Sequence, residues 1–225
     1  MKPGEELDSA TTDVEHDEKV TENGDEEKEK TVEDERQTRE DAMDDSELAQ
    51  LQETATKIKT DGNQKFAEGD YKNAVILYTE ALDTCPLKYK DDRSILLSNR
   101  AAANIKLEDW KAAVDDATAS IELGAKNEKA LERRAFAYAQ KDETIEKSLE
   151  DYNSLHKQFP DRSRYTQQIA SLTERQKVRN EKLQKEMIDQ LKNLGNVVLR
   201  PFGLSTDSFQ MVEQPGGGYS IQMKK

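Results

Sequence analysis

A pattern of small and aromatic residues occurs three times between residues 52 and 162, and it constrains the fold more than any other feature of the sequence. In the first copy, Gly62, Ala74, Tyr78, Ala81 and Pro86 stand at offsets of 0, 12, 16, 19 and 24 residues. The small residues let two antiparallel helices approach closely, the tyrosine fills the remaining space, and the proline ends the second helix. The pattern therefore predicts a helix-turn-helix unit that buries its open face by stacking on its neighbours.

The second and third copies are looser versions of the first. The second ends in Ala125 where the first has a proline, and the third has one extra residue in the turn at 139–148. The alternative is an unrelated helical bundle with chance periodicity, which requires three coincident sets of positions. The equivalent positions are Ala101, Ala113, Ala117 and Ser120 in the second copy, and Ala135, Ser148, Tyr152, Leu155 and Pro160 in the third.

These three copies resemble the tetratricopeptide repeat family over residues 52–162. The resemblance implies an all-α fold in which three helix-turn-helix repeats form a short right-handed superhelix with a long C-terminal capping helix. Residues 163–195 supply the cap, because their apolar positions follow mostly helical spacings and Gly195 is a suitable stop. We expect the first part of this helix to cover the last repeat and the rest, rich in Lys and Arg, to project into solvent or meet a partner. The apolar positions are Ile169, Leu172, Leu183, Met187, Leu191 and Leu194.

The two ends of the chain differ from the repeats in composition. The first 50 residues hold 20 acidic and 6 basic side chains and no aromatic residue, which predicts a disordered acidic segment. Such a block of like charge commonly does no more than keep a chain solvated. At the other end, apolar residues alternate on either side of a glycine run, which predicts a small β-hairpin that should pack on a helix. The predicted organisation is a disordered segment over 1–45, a three-repeat domain over 46–162, a capping helix over 163–195 and a tail with the hairpin over 196–225.

Composition argues against several classes of protein. A mean hydropathy of −0.99 argues against membrane insertion, and the first 20 residues lack the apolar stretch of a secretory signal. The single cysteine, Cys85, allows no internal disulfide framework and no cysteine cluster for zinc, so we expect a cytoplasmic protein without a metal. A net charge of −13 disfavours nucleic acid as a partner. His16 and His156 have no Ser or Cys at a recognisable spacing, and there is no phosphate-binding loop, so we expect no enzyme and no cofactor.

Cationic and amide side chains recur on the first helix of each predicted pair, which lines the concave face of such a stack. Lys59 and Asn63 are one helical turn apart, Lys129 and Arg133 repeat that spacing in the third copy, and Asn99 comes from the second copy. Ammonium and guanidinium groups bind carboxylates with charge-assisted hydrogen bonds, and asparagine adds neutral amide donors. Side chains of these types on one wall can therefore bind carboxylates.

These five positions resemble the dicarboxylate clamp of tetratricopeptide repeat domains that hold the acidic C-terminal peptide, of EEVD type, of Hsp70/Hsp90-class chaperones. The resemblance implies an adaptor or co-chaperone that links a chaperone to a second, unidentified protein. Lys106 follows Asn99 by seven residues and lies on the same helix face, within reach of a glutamate further along the peptide, while Ala102 and Phe136 are placed to contact its valine. The predicted peptide-binding residues are Lys59, Asn63, Asn99, Lys106, Lys129 and Arg133.

Plainer interpretations compete with the clamp. A single lysine or arginine on a helix is usually a solvated surface charge. Asn63 has the alternative of packing beside Gly62, although asparagine inside a helix is disfavoured and so favours a paired or ligand-binding role. For the whole chain, the alternative is a scaffold protein that binds its partners mainly through the long basic C-terminal helix.

Overall fold

The computed structural model describes residues 32–124, 128–213 and 219–224, and most of them are helical. A short helix precedes three helix pairs, which are followed by a long helix and an antiparallel two-stranded hairpin, and from α2 to α8 each helix packs on the next. This arrangement confirms the predicted stack of three pairs with a long C-terminal helix and a small hairpin. The elements are α1 (Val32–Asp41), α2 (Asp45–Ala67), α3 (Tyr71–Thr84), α4 (Lys90–Lys106), α5 (Trp110–Leu123), α6 (Glu128–Tyr138), α7 (Ile145–Gln158), α8 (Ser163–Leu199), β1 (Phe209–Glu213) and β2 (Tyr219–Met223).

The contact between α2 and α3 confirms the predicted pairing of small and large residues. Tyr78 is buried, and a Cβ atom added to Gly62 would lie only 2.9 Å from its Cε1 atom. Ala74 and Ala81 are fully buried on the same helix. Any larger residue at Gly62 would push the tyrosine ring away, so the first pair depends on this glycine.

The turns inside the helix pairs have related backbone conformations. Gly69 has a φ of +83° in the first turn, and Glu108 takes the same place in the second with a φ of +59°. Asp70 and Asp109 follow them and cap the next helix by accepting backbone N–H bonds from Asn73 and Ala112. In the third pair, the predicted extra residue lies near a short 3₁₀ turn before α7.

Two partly buried arginines, each paired with an aspartate of its own repeat, join neighbouring repeats to one another. Arg100 on α4 binds both carboxylate oxygens of Asp116 on α5 and donates to Thr79 Oγ1 on α3, 3.0 Å away. One guanidinium thus holds its own pair together and attaches it to the preceding pair. The third repeat has the same arrangement in Arg134, Asp151 and Thr118.

The helix α1 lies inside the segment predicted to be disordered, so that prediction is wrong for these residues. Arg36 donates to the carbonyl oxygens of Leu82 (3.2 Å) and Cys85 (2.6 Å), at the end of α3. Glu40 pairs with Arg36 and accepts the backbone N–H of Leu87 at 2.6 Å. The sequence pattern missed this helix because polar groups from the folded repeats hold it, not an apolar face of its own. Residues 1–31 of the predicted disordered segment lie outside the described residues.

The long helix continues past its predicted end. It runs through Gly195 to Leu199, because the following loop comes back against it: a Cβ atom on Gly195 would lie 2.8 Å from Thr206 Cγ2, and Thr206 N–H donates to Asn196. This glycine therefore permits a close approach and does not end the helix. Tyr165 and Leu172 are buried in the third repeat, as the capping role predicts.

The C-terminal hairpin forms, but it leaves its apolar face open. Met211 pairs with Ile221, and Tyr219 and Met223 lie on the same face because paired residues in a hairpin share a side. These four side chains are 58% to 73% exposed, so the expectation that this face packs on a helix is wrong. The predicted glycine turn, 214–218, lies outside the described residues. No helix in the described parts of the chain is long and apolar enough to span a membrane.

Candidate functional site

A groove with a volume of about 420 Å³ is lined mainly by α4, α6 and α8, with one residue each from α2 and α7. Lys106, Lys129 and Arg133 line it together, so the structure brings three of the six predicted residues into one site. Ala102 and Phe136, which the sequence placed on the same wall, line it too. Lys106 and Lys129 are solvent-exposed, and neither has an acidic partner within 4 Å among the described residues. These cations are therefore available to an anionic ligand.

Arg133 is the most enclosed cation of the groove. Burial lowers the pKa of its guanidinium, and the nearby Tyr78 and Glu132 oppose that shift. Its Nη1 atom donates to the hydroxyl of Ser98 on α4. Within the described residues no carboxylate lies within 4 Å of Arg133. Arg134, beside it, donates hydrogen bonds to both carboxylate oxygens of Asp151. A partly buried cation with only a neutral partner is a strong site for an incoming carboxylate.

The two predicted asparagines meet each other. Oδ1 of Asn63 accepts two hydrogen bonds, one from Tyr78 Oη at 2.8 Å and one from Asn99 Nδ2 at 3.3 Å. Burial raises the pKa of Tyr78, while the charge of Arg133 acts against this shift, so the hydroxyl stays protonated and donates. Since its oxygen is engaged in this way, the amide nitrogen of Asn63 remains available as a donor.

Lys59 stands apart from the groove. It is half-buried on α2, one turn before Asn63, and it does not line the 420 Å³ space; Asn63 and Asn99 do not line it either. Two contacts connect the asparagines to the groove: Tyr78 lies near Arg133, and Ser98, the neighbour of Asn99, binds Arg133 directly. The structure thus places three predicted residues in one groove, joins Asn63 and Asn99 to each other outside it, and leaves Lys59 apart from both sets.

Two features of the site went unnoticed in the sequence. The first is the hydroxyl of Tyr78, whose spacing indicated only packing. The second is Glu132, an acidic residue in the groove that is paired with Arg164 of α8 at 3.0 Å. No sequence signal identifies Arg164, because its position depends on how α8 packs against α6.

The other reactive side chains have structural surroundings. Cys85 is buried, and burial raises the pKa of its thiol to about 11, so it is protonated and unreactive at neutral pH. His156 is half-buried, where the sequence predicted a surface residue, and its Nδ1 atom has no partner among the described residues. The described residues also contain no group of three or more His, Cys, Asp or Glu that could hold a metal ion.

Comparison with solved structures identifies the fold. The C-terminal TPR-containing domain of an FK506-binding protein from Plasmodium falciparum superposes with a TM-score of 0.54 at 20% identity, covering 60% of this chain and 95% of that one. The fold is a tetratricopeptide repeat fold. The myosin chaperone UNC-45 from C. elegans, solved in complex with a Hsp90 peptide, superposes with a TM-score of 0.53 at 26% identity, over 68% of this chain and 17% of that one.

Sequence relatives match the repeats of longer proteins. The human mitochondrial import receptor subunit TOM70 is 41% identical over 101 residues, which are 45% of this chain and 16% of the receptor. The chain thus covers about a sixth of the length of this relative. No protein-family model matches the chain.

Proposed function

We propose that this chain is a non-enzymatic adaptor, or co-chaperone, that binds the acidic C-terminal peptide of Hsp70/Hsp90-class chaperones and links it to a second protein. Three residues of the groove and three residues of α2 and α4 outside it form a carboxylate clamp for the two carboxylates of the terminal aspartate. Arg133 carries the proposal, because it is an enclosed cation with no carboxylate partner in the described structure. The clamp residues are Lys59, Asn63, Asn99, Lys106, Lys129 and Arg133.

Five of the six clamp residues have a defined task in this proposal, and Lys59 adds positive charge at the margin of the site. Arg133 and Lys129 bind the carboxylates of the chain end, while Asn63 and Asn99 donate amide hydrogen bonds to them. Lys106, at the exposed edge, binds a glutamate further along the peptide. Hydrogen bonds to charged groups contribute about 1.5–3 kcal/mol each, so a few of them, less the ordering costs, give affinity of roughly micromolar strength.

Two resemblances support this proposal. UNC-45, which shares the repeat fold at 26% identity, was solved with a Hsp90 peptide. The acidic head, the three repeats and the block NLGNVVLRPFGLS (193–205) together are similar to tetratricopeptide repeat protein 1, a small cytosolic adaptor. The second likeness supports a cytoplasmic location, with neither membrane insertion nor nucleic acid binding as part of the role.

Peptide titration tests the clamp. A peptide that ends in Met-Glu-Glu-Val-Asp should bind as the free acid, and its C-terminal amide should bind at least tenfold more weakly because one carboxylate is lost. Arg133→Gln and Lys129→Ala should each weaken binding of the free acid by about tenfold or more, and added salt should weaken it further. Lys157→Ala, an exposed lysine on α7, is the matched control. If the free acid binds Arg133→Gln as tightly as it binds the native protein, the clamp proposal is wrong.

The second candidate function is a scaffold that binds its partners mainly through α8. The exposed apolar residues of this helix favour that role. Two of the basic residues of α8 are not free to bind a partner, because Arg175 and Arg179 pair with Asp142 and Glu146 of the third repeat. Only the distal half remains for a partner. A protein with its clamp disabled that still recovers its partners would favour this role over the first.

A further inference from the structure

Five apolar residues form one stripe along the distal half of α8. They are separated by four, four, three and four residues, so at about 100° per residue they fall within about 80° of the helix circumference. Their side chains are 49% to 65% exposed. This distal stripe consists of Leu183, Met187, Leu191, Leu194 and Val198.

Every charged residue between positions 181 and 198 lies on the opposite side of the helix. The stretch has three lysines and three acidic residues, so its net charge is zero. Those charges fall in a sector centred about 190° from the centre of the stripe, by the same 100° geometry. They are Glu181, Lys182, Lys185, Glu186, Asp189 and Lys192.

This distribution of charge and apolar surface limits which kind of partner can bind the distal stripe. Helices that lie on anionic membranes have a polar face rich in Lys and Arg, and this face has no net charge. An acidic peptide or a nucleic acid would meet only apolar side chains on the stripe. The partner that suits the stripe is therefore an apolar surface of another protein chain.

The spacing of the stripe suits a second copy of the same chain. Met187, Leu191, Leu194 and Val198 follow the four-three-four spacing with which two helices pair in a coiled coil. Charges at the flanking positions normally select the partner, and here those positions hold Ile188, Gln190, Gly195 and Val197. Identical helices therefore meet without like charges opposite each other.

The hairpin offers a second exposed apolar face. The stripe is about 23 Å long from residue 183 to 198, at 1.5 Å per residue, and two such short helices alone pair weakly. Met211 and Ile221 contribute a second open apolar face directly after α8. We propose that the distal stripe, together with this hairpin face, is the interface through which two copies of the chain associate as a symmetric dimer.

Sedimentation of the full chain between about 1 and 100 µM tests the proposal. The native protein should shift from 25.6 kDa towards twice that mass as its concentration rises. The double variant Leu191→Glu, Leu194→Glu should remain at the single-chain mass, and glutamate retains helix propensity. Lys185→Glu changes the charge by the same amount on the opposite face and should dimerise like the native protein. Ile221→Ser should raise the dimer dissociation constant several-fold.

Three results would overturn this inference: a native protein of single-chain mass at 100 µM, a double variant that still dimerises, or loss of the dimer in Lys185→Glu. Circular dichroism of each variant shows that the helices are intact. Because the stripe and the clamp share no residue, peptide affinity measured on the same samples reports on the clamp separately.

Discussion

Replacing Tyr78 with phenylalanine tests how the repeats orient the clamp. The change removes only the hydroxyl that donates to Asn63 Oδ1 at 2.8 Å. Without that bond the amide of Asn63 can turn, and its donor is no longer directed to the ligand. One neutral hydrogen bond is worth about 0.5–1.5 kcal/mol, so the dissociation constant of the free-acid peptide should rise about 2- to 13-fold.

Stability should change little in the same variant. The ring of Tyr78 keeps its packing against Gly62, and the acceptor that loses its donor belongs to Asn63, which is exposed and can bind water. We expect a loss of at most about 1 kcal/mol in the free energy of unfolding. Calorimetric titration and denaturant unfolding measure the two quantities separately. Tyr89→Phe changes a partly buried tyrosine that packs against the same core; it is the control and should leave peptide affinity unchanged.

A double-mutant cycle makes this prediction decisive. If Tyr78 acts through Asn63, then Tyr78→Phe should have no further effect on affinity in an Asn63→Ala background. An equal loss in both backgrounds would refute the positioning role, and so would unchanged affinity in the single variant.

Three further predictions concern stability and reactivity. Glu108→Gly should raise the free energy of unfolding in urea by about 0.5–1 kcal/mol, because glycine adopts the positive φ at this position without strain. Gly69→Ala should lower it for the converse reason, and a change of the same sign in both variants would contradict this account. Asp151→Asn should cost about 3–5 kcal/mol, since it leaves Arg134 partly buried without its carboxylate, and a loss below about 1 kcal/mol would contradict the structural role of this pair. Cys85 should react with iodoacetamide at pH 8 far more slowly in the native protein than in urea, because burial raises the pKa of its thiol to about 11; equal rates would show that the site is open.

The proposed clamp illustrates how far residue spacing alone can predict a candidate site. Spacing placed Lys129 and Arg133 one turn apart, and the structure has them in one groove. The four-residue spacing also selected Arg133, but it gave no role to Arg134, the adjacent cation on the same helix. Only packing decides that Arg134 binds Asp151 of its own repeat and Thr118 of the preceding one, while Arg133 faces the groove.

The repeats were determined by sequence because helix pairing depends on local periodicity and on the contact of small with large residues, as at Gly62 and Tyr78. Contacts between residues that lie far apart in the sequence were decided only by the tertiary structure. Arg36 is held by carbonyl groups nearly fifty residues away, and Gly195 accommodates a returning loop instead of ending its helix. These contacts form between surfaces that exist only after the helices have packed, so no local pattern encodes them.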